Sequence, residues 1–275
     1  MLFAKKKLEF LRKIGYNKQI TQKNMLLLSS QSFPNYGLER FFAFTKKAGY
    51  DGVEIVVCDN YDTQNPKYLK DLEKRFKLPI RSFSLPKKNE EKYIEAFQEV
   101  VKEFRDVDIN LSSPEILSFK YKKWIAKVVP RLSREYGLLF QRKNSPFRLF
   151  LGILPSRTEN SLFSLREAGN VCLDVSALWE SKEEIMRTIS FLGKHLRHIY
   201  LSNVFKNVPY SLPQNGVLPL ESFLTRLAQN KYAGDFTMRI SPKRLSSDNE
   251  EKLIEELVGA RKFFEKYFKK SKKRK

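Results

Sequence analysis

The chain has 275 residues, of which 41% are apolar and 13% aromatic. These fractions exclude an intrinsically disordered protein, and the length is ordinary for a single α/β barrel. No apolar run reaches the roughly 18 residues that a membrane span needs. Lysines and a glutamate interrupt the first ten residues, MLFAKKKLEF, so the amino terminus does not read as a secretory signal. The sequence therefore favours a folded protein without a transmembrane helix.

The positive charge is concentrated at the two ends of the chain. Residues 1–24 hold seven Lys/Arg and one Glu, residues 261–275 hold nine Lys/Arg and one Glu, and together they supply +14 of the net +21. The carboxyl-terminal residues 269–275 are expected to form a solvated, mobile tail that makes at most a weak polyanion contact by counterion release. The apolar positions 8, 11 and 14 predict a short helix that packs on the body of the protein or, less favourably, on an anionic membrane.

The two cysteines, Cys58 and Cys172, are far apart in the sequence. They form neither a metal-ligand spacing nor a disulfide framework. Single thiols of this kind suit a reducing compartment, so a cytoplasmic location is expected.

Short apolar runs alternate with segments of helical period through the middle of the chain. This alternation is typical of repeated βα units around a parallel sheet. The predicted strands are 25–30, 52–57, 79–85, 107–112, 138–143, 171–175, 198–203 and 236–240. The predicted helices are 38–48, 66–76, 90–105, 119–136, 160–168, 181–194, 219–230 and 250–268. Eight such units in about 250 residues predict an α/β fold, a single (β/α)8 TIM barrel.

The domain organisation follows from the same pattern. Residues 1–24 form a basic amino-terminal extension, residues 25–260 form the barrel, and residues 261–275 form the end of the last helix with the Lys-rich tail. The segment 144–155, NSPFRLFLGILP, holds a second apolar run. It is predicted to be a long loop after the fifth strand, because Gly137 gives a helix stop signal directly before that strand.

Three segments resemble the xylose isomerase-like TIM barrel superfamily, the sugar phosphate isomerases and epimerases. They are LERFFAFTKKAGYDGVEIV (38–56), CLDVS with LRHIYLSN (172–203), and PQNGVLPLESFLTRLAQNKYAGDFTMRISP (213–242). The resemblance covers most of residues 25–245. It implies carbohydrate metabolism and an active site at the carboxyl-terminal mouth of the barrel, where members hold a divalent metal between Glu, Asp, His and Glu.

The expected metal ligands are mostly replaced in this sequence. The first Glu falls on Lys143, the His after Asp174 falls on Ala177, and the last Glu falls on Arg239. The inward His of the seventh strand becomes Tyr200. We therefore expect a degenerate site with no metal and no other cofactor, because cations disfavour a divalent ion.

The remaining mouth residues define a candidate site. Glu54 and Lys143 are the candidate catalytic residues, with Glu54 as a base and the cation stabilising an enediolate. The candidate substrate-binding residues are Asn144, Asp174, Tyr200, Asn203 and Arg239. Asp174 can instead form an internal ion pair with Arg239 or Lys143, which the sequence favours slightly over ligand binding. Asn110, Ser84 and Ser202 are further strand-end groups suited to sugar hydroxyls.

The two histidines, His195 and His198, are expected at the surface or at a helix end, on the side away from the mouth. Two histidines cannot supply the metal cluster of the DNA-repair endonucleases of the superfamily. The sequence thus indicates an isomerase/epimerase-like protein that binds a small anionic metabolite such as a sugar phosphate. The alternatives are a non-catalytic metabolite-binding barrel and a polyanion-associated protein acting through its basic ends.

Overall fold

The computed structural model describes residues 24–86 and 90–273. Eight parallel strands close into a barrel in which the first strand pairs with both the second and the last. The barrel strands are β1 Leu26–Ser29, β2 Gly52–Val56, β3 Ile80–Ser84, β4 Asp108–Ser112, β5 Leu139–Lys143, β6 Val171–Asp174, β7 Leu196–Leu201 and β8 Asp235–Met238. The predicted TIM barrel is confirmed, and each predicted strand overlaps one of these.

Helices follow the strands and cover the outside of the barrel. They are α1 Leu38–Lys47, α2 Pro66–Phe76, α3 Glu90–Lys102, α4 Phe119–Lys127, α5 Val129–Tyr136, α6 Leu162–Glu167, α7 Val175–Glu180, α8 Ile185–Leu192, α9 Leu220–Gln229, α10 Glu250–Phe264 and α11 Lys270–Lys273. A π-helical segment, Glu265–Lys269, connects the last two. Short 3-10 helices lie at Ser30–Ser32, Tyr61–Gln64, Gly193–His195 and Pro242–Arg244.

Two local predictions are corrected. The single helix predicted over 119–136 is two helices, because Pro130 in the first turn of α5 lacks the N–H that a continuous helix requires. The helix α7 was not predicted. It begins directly after β6, where the Asp174 carboxylate accepts a hydrogen bond from the backbone N–H of Ala177 (3.0 Å) and caps the helix.

The loop predicted for 144–155 does follow β5, and part of it forms a small antiparallel hairpin, in which Leu149–Phe150 pairs with Leu154–Pro155. A second hairpin follows β7 and pairs Asn203–Phe205 with Val208–Ser211. Both hairpins lie on the carboxyl-terminal side of the strands, which is the side that carries active sites in this fold.

The apolar core lies between the barrel and its helices, while the barrel interior is polar. In β2, Val53 and Ile55 are fully buried against the helix layer and belong to the continuous core. Glu54 between them points into the barrel, because side chains alternate along a strand. The same alternation in β7 puts Ile199 outward and Tyr200 inward. The lining of the barrel therefore consists largely of groups that need hydrogen-bond partners.

The chain ends depart from expectation where they are described. The predicted amino-terminal helix around residues 8–14 lies outside the described residues. At the other end, helical structure continues to Lys273, and the Lys269 ammonium lies 3.3 Å from a carboxylate oxygen of Asp51. The expectation that residues 269–275 form an undocked tail is thus wrong for its first part. No helix in residues 24–86 and 90–273 is long and apolar enough to cross a membrane.

Candidate functional site

Glu54 lies in the middle of β2 and is completely buried inside the barrel. Its carboxylate accepts hydrogen bonds from the hydroxyl of Ser29 (2.8 Å), the hydroxyl of Ser82 (3.3 Å) and the hydroxyl of Tyr200. No ion pair with Lys or Arg is found for it among the described residues. The Tyr200 side chain thus crosses the barrel from β7 to β2, and burial followed by the Glu54 charge raises the pKa of its hydroxyl well above the usual value.

Arg239 follows β8 and lies beside Asp174 at the end of β6, as the resemblance to the family implies. The closest guanidinium and carboxylate atoms are 3.9 Å apart, and both side chains are almost inaccessible to solvent. The guanidinium also donates a hydrogen bond to the side-chain oxygen of Gln31. The hydroxyl of Tyr210, on the second hairpin, donates a hydrogen bond to Asp174 Oδ2 (3.3 Å), the same carboxylate oxygen that lies nearest to the guanidinium. The ion pair therefore forms at a long distance. Each of its members has a further hydrogen-bond partner, Gln31 for Arg239 and Tyr210 for Asp174.

Lys143 ends β5 and is only 3% exposed. Its ammonium lies 5.2 Å from the centroid of the Tyr200 ring, and the Arg239 guanidinium carbon lies 5.1 Å from the same centroid. No hydrogen bond or ion pair joins the ammonium to any described residue. Burial, followed by the nearby charge of Arg239, lowers the pKa of Lys143 to about 8. In the part of the chain that the structure describes, the buried site thus holds one cation with a partner, Arg239, and one cation without an acceptor, Lys143.

A row of buried polar groups without partners runs across three neighbouring strands. Ser84 of β3 is in register with Asn110 of β4, and Asn110 is in register with Gln141 of β5. Within the described residues, the Ser84 hydroxyl, the Asn110 amide oxygen and both polar atoms of the Gln141 amide have no hydrogen-bond partner. Gln141 was not among the predicted site residues. Its position two residues before Lys143 on β5 was the available signal, since both residues share one strand face.

Two predicted substrate-binding residues are already bonded to the backbone. The Asn144 amide donates to the Asp174 carbonyl (3.0 Å) and accepts from the Asp174 N–H (2.6 Å). The Asn203 amide donates to the Pro213 carbonyl (2.9 Å) and accepts from the N–H groups of Val204 and Leu218. Both side chains fix the rim of the mouth, and contact of either with a substrate stays a prediction.

The expectation of surface histidines is wrong for His198. Its ring is fully buried inside the barrel, where Nε2 lies 2.8 Å from the hydroxyl of Thr237 and Nδ1 lies 3.3 Å from a carboxylate oxygen of Asp108. It shares the inward face of β7 with Tyr200 and lies towards the start of the strand, away from the mouth. His195 is at the end of a 3-10 helix and contacts the Gly169 carbonyl (2.8 Å), as expected for a helix-end histidine.

The side chains at the mouth do not fit the divalent metal that the resemblance to the xylose isomerase-like superfamily implies. A divalent ion needs several carboxylates or imidazoles that converge on one point. Asp174 is the one expected ligand present, and Arg239 already lies next to its carboxylate. In residues 24–86 and 90–273, no group of three or more His, Cys, Asp and Glu could hold a metal ion.

Comparison with solved structures shows the fold. D-allulose 3-epimerase from Methylomonas sp. is 17% identical, with a TM-score of 0.62 over 90% of this chain and 98% of that one. 3-keto-D-glucoside 4-epimerase from E. coli is 16% identical, with a TM-score of 0.64 over 87% and 100%. A xylose isomerase domain-containing protein from Salmonella typhimurium is 16% identical, with a TM-score of 0.68 over 90% and 99%. No protein-family model and no curated protein matches the chain. The chain therefore has the same parallel (β/α)8 barrel fold as these three solved structures.

Proposed function

We propose that this chain is an isomerase/epimerase-like protein that binds a small anionic sugar, such as a sugar phosphate, at the mouth of the barrel without a metal. The observation that carries the proposal is the row of unpartnered groups on Ser84, Asn110 and Gln141 beside two buried cations. A buried polar group without a partner costs about 1–3 kcal/mol, so adjacent groups of this kind call for a ligand or water that bonds them together. Hydroxyl groups, which both donate and accept, match this mixture of groups.

The cations define the charged end of the proposed ligand. Lys143 lies on the same face of β5 as Gln141, one step closer to the mouth, and Arg239 lies nearby over the Tyr200 ring. Arg239 is the anion-binding residue of choice, because its planar guanidinium can hold two phosphate oxygens at once. Its 3.9 Å separation from Asp174 is longer than a charge-assisted hydrogen bond. An entering phosphate takes the place of Gln31 at this guanidinium.

The second hairpin must move for such a ligand to enter. Tyr210 has a left-handed backbone conformation with φ of 60°, and so do Lys206 (48°) and Asn207 (58°) in the same hairpin. At Lys206 and Asn207 a positive φ is the favoured geometry of a two-residue hairpin loop, whereas at the bulky Tyr210 it costs about 1–3 kcal/mol. The strain at Tyr210 favours a hairpin that opens when the Tyr210 contact with Asp174 is exchanged for a ligand.

Glu54 and Lys143 are the catalytic residues of the proposed reaction. Glu54 is already hydrogen-bonded to Tyr200, so a proton taken up by one group can be passed to the other. The cation of Lys143 or Arg239 would stabilise negative charge that develops on a carbonyl oxygen. Asp174, Asn144 and Asn203 hold the rim that positions these groups.

The test is ligand binding by wild type and by Arg239→Gln, with Arg244→Gln as the matched control. Arg244 lies in the 3-10 helix after β8 and donates to the Phe205 carbonyl, outside the cluster. D-ribose 5-phosphate should raise the Tm of wild type and of Arg244→Gln, and should leave Arg239→Gln unchanged. Equal shifts in all three proteins would refute the assignment of Arg239.

Two further measurements extend the test to hydroxyl recognition and to turnover. Gln141→Leu should weaken the binding of D-ribose 5-phosphate while circular dichroism shows an intact fold, because leucine cannot bond to a hydroxyl. Isomerase activity should appear in D2O as deuterium incorporation next to the sugar carbonyl, and Glu54→Gln should abolish it. Binding without any incorporation would identify a metabolite-binding barrel instead.

A further inference from the structure

Lys143 differs from the other cation of the site in its surroundings. Arg239 has a carboxylate neighbour in Asp174 and an amide acceptor in Gln31. The Lys143 side chain is equally buried, yet none of the described residues accepts a hydrogen bond from its amine. Its register neighbours on the two adjacent strands are Ser112 and Cys172, neither of which carries a negative charge that would hold an ammonium.

The physical consequence is an amine that loses its proton easily. Burial takes most of the water away from the ammonium and the positive charge of Arg239 repels it further; together these effects outweigh the opposing charges of Asp174 and Glu54, so the pKa of Lys143 falls from 10.5 to about 8. The free-amine fraction falls tenfold for each pH unit below the pKa, so near neutral pH this lysine holds roughly 300-fold more free amine than a lysine with a pKa of 10.5. A free amine that is shielded from water is a nucleophile towards carbonyl carbon.

We propose that Lys143 is a nucleophile that forms an imine with the carbonyl carbon of an open-chain aldose or ketose bound at the mouth of the barrel. The inference rests on the proposed function, because it needs the sugar to lie along the polar row of Ser84, Asn110 and Gln141. It narrows the substrate class to sugars that carry a free carbonyl group.

The step balances without an oxidant or reductant. The nitrogen lone pair of Lys143 forms a bond to the carbonyl carbon, and a proton moves from nitrogen to the former carbonyl oxygen to give a carbinolamine. Loss of water then breaks the C–O bond and leaves a C=N bond. The Tyr200 hydroxyl and the Glu54 carboxylate, already bonded to each other, supply the proton for the departing water and receive one from nitrogen.

The experiment is reductive trapping of the imine in the full-length protein. Wild type is incubated with D-ribose 5-phosphate and sodium cyanoborohydride, and lysine modification is mapped by peptide mass spectrometry. The adduct adds the mass of the sugar phosphate less one oxygen. Ribitol 5-phosphate, which has the hydroxyls and the phosphate but no carbonyl, is the matched control ligand, and Lys143→Arg is the matched variant because it keeps the charge.

The expected result is a cyanoborohydride-dependent adduct on Lys143, at a level at least about tenfold above that on the exposed Lys123, given the larger free-amine fraction. Ribitol 5-phosphate should raise the Tm without forming an adduct and should compete with labelling, and Lys143→Arg should not be labelled at this position. Stabilisation by both compounds with no excess labelling of Lys143 would overturn the imine and leave the proposed function intact. No stabilisation by either compound, with background labelling only, would overturn both.

Discussion

Replacement of Lys143 by methionine tests whether the buried ammonium lowers the free energy of unfolding. Methionine has a similar length and no charge, so it fills the same space beside the Tyr200 ring. At neutral pH the folded protein must either bury a charged Lys143 ammonium, which is unfavourable, or release its proton, which also costs free energy below a pKa of 10.5. We therefore expect Lys143→Met to be more stable than wild type at pH 7, which is unusual for a substitution at a fully buried position.

The size of the effect follows from the two pKa values. The difference between 10.5 in the unfolded chain and about 8 in the folded protein corresponds to about 3 kcal/mol at 1.36 kcal/mol per unit. Because the folded-state pKa is the lower one, the unfolded chain binds more protons between pH 8 and 10.5, and wild-type stability rises with pH in that window. The advantage of Lys143→Met should be fully present below about pH 8 and should vanish as the pH approaches 10.5.

The assay is urea unfolding of wild type and Lys143→Met at several pH values from 6 to 10, with Lys123→Met on the exposed face of α4 as the control. The control should show a difference close to zero at every pH. A loss of stability in Lys143→Met at pH 7, or a difference that does not change between pH 8 and 10, would refute the reasoning. Either result would mean that the ammonium has an effective partner in the folded protein.

Three other predictions concern separate parts of the molecule. The chain should bind no stoichiometric metal at the mouth, because only Asp174 remains of the expected ligands; elemental analysis that finds Zn, Mn or Mg, lost on Asp174→Ala, would contradict this. Removal of residues 269–275 should lower the free energy of unfolding by less than about 1 kcal/mol, because the Lys269–Asp51 ion pair is partly exposed. It should also weaken heparin binding in a salt-dependent manner. A large drop in Tm would contradict this and show that the end is tightly docked. His198→Phe should destabilise the protein by about 1–3 kcal/mol in urea unfolding, because it leaves the buried Thr237 hydroxyl without its partner; an unchanged midpoint would show that the hydrogen bond contributes nothing.

The sequence by itself determined the barrel and the direction of its inward side chains. Strands covered by helices must bury apolar residues against them, so eight apolar runs are visible locally in the chain. The alternation of side chains put Arg239 on the same strand face as Thr237, and the family resemblance implied that this face points inward towards Asp174. The structure has Arg239 and Asp174 3.9 Å apart. The two cationic residues Lys143 and Arg239 were likewise visible in the sequence, because they depend only on which residue type stands at each strand end.

Only the tertiary structure decided how the polar groups inside the barrel are matched. Tyr200 bonds to Glu54 over a separation of 146 residues, and no local pattern encodes such a pair. His198 resembles a surface histidine in sequence, yet it lies between Asp108 and Thr237, and those partners come from other strands. The same reason explains why Gln141 was missed. The local sequence around a polar strand residue does not show whether its side chain finds a hydrogen-bond partner in the folded protein. Local sequence decides which strand face is buried. The closure of eight strands into one barrel decides which buried polar groups meet and which, like those of Lys143 and Gln141, have no hydrogen-bond acceptor among residues 24–86 and 90–273.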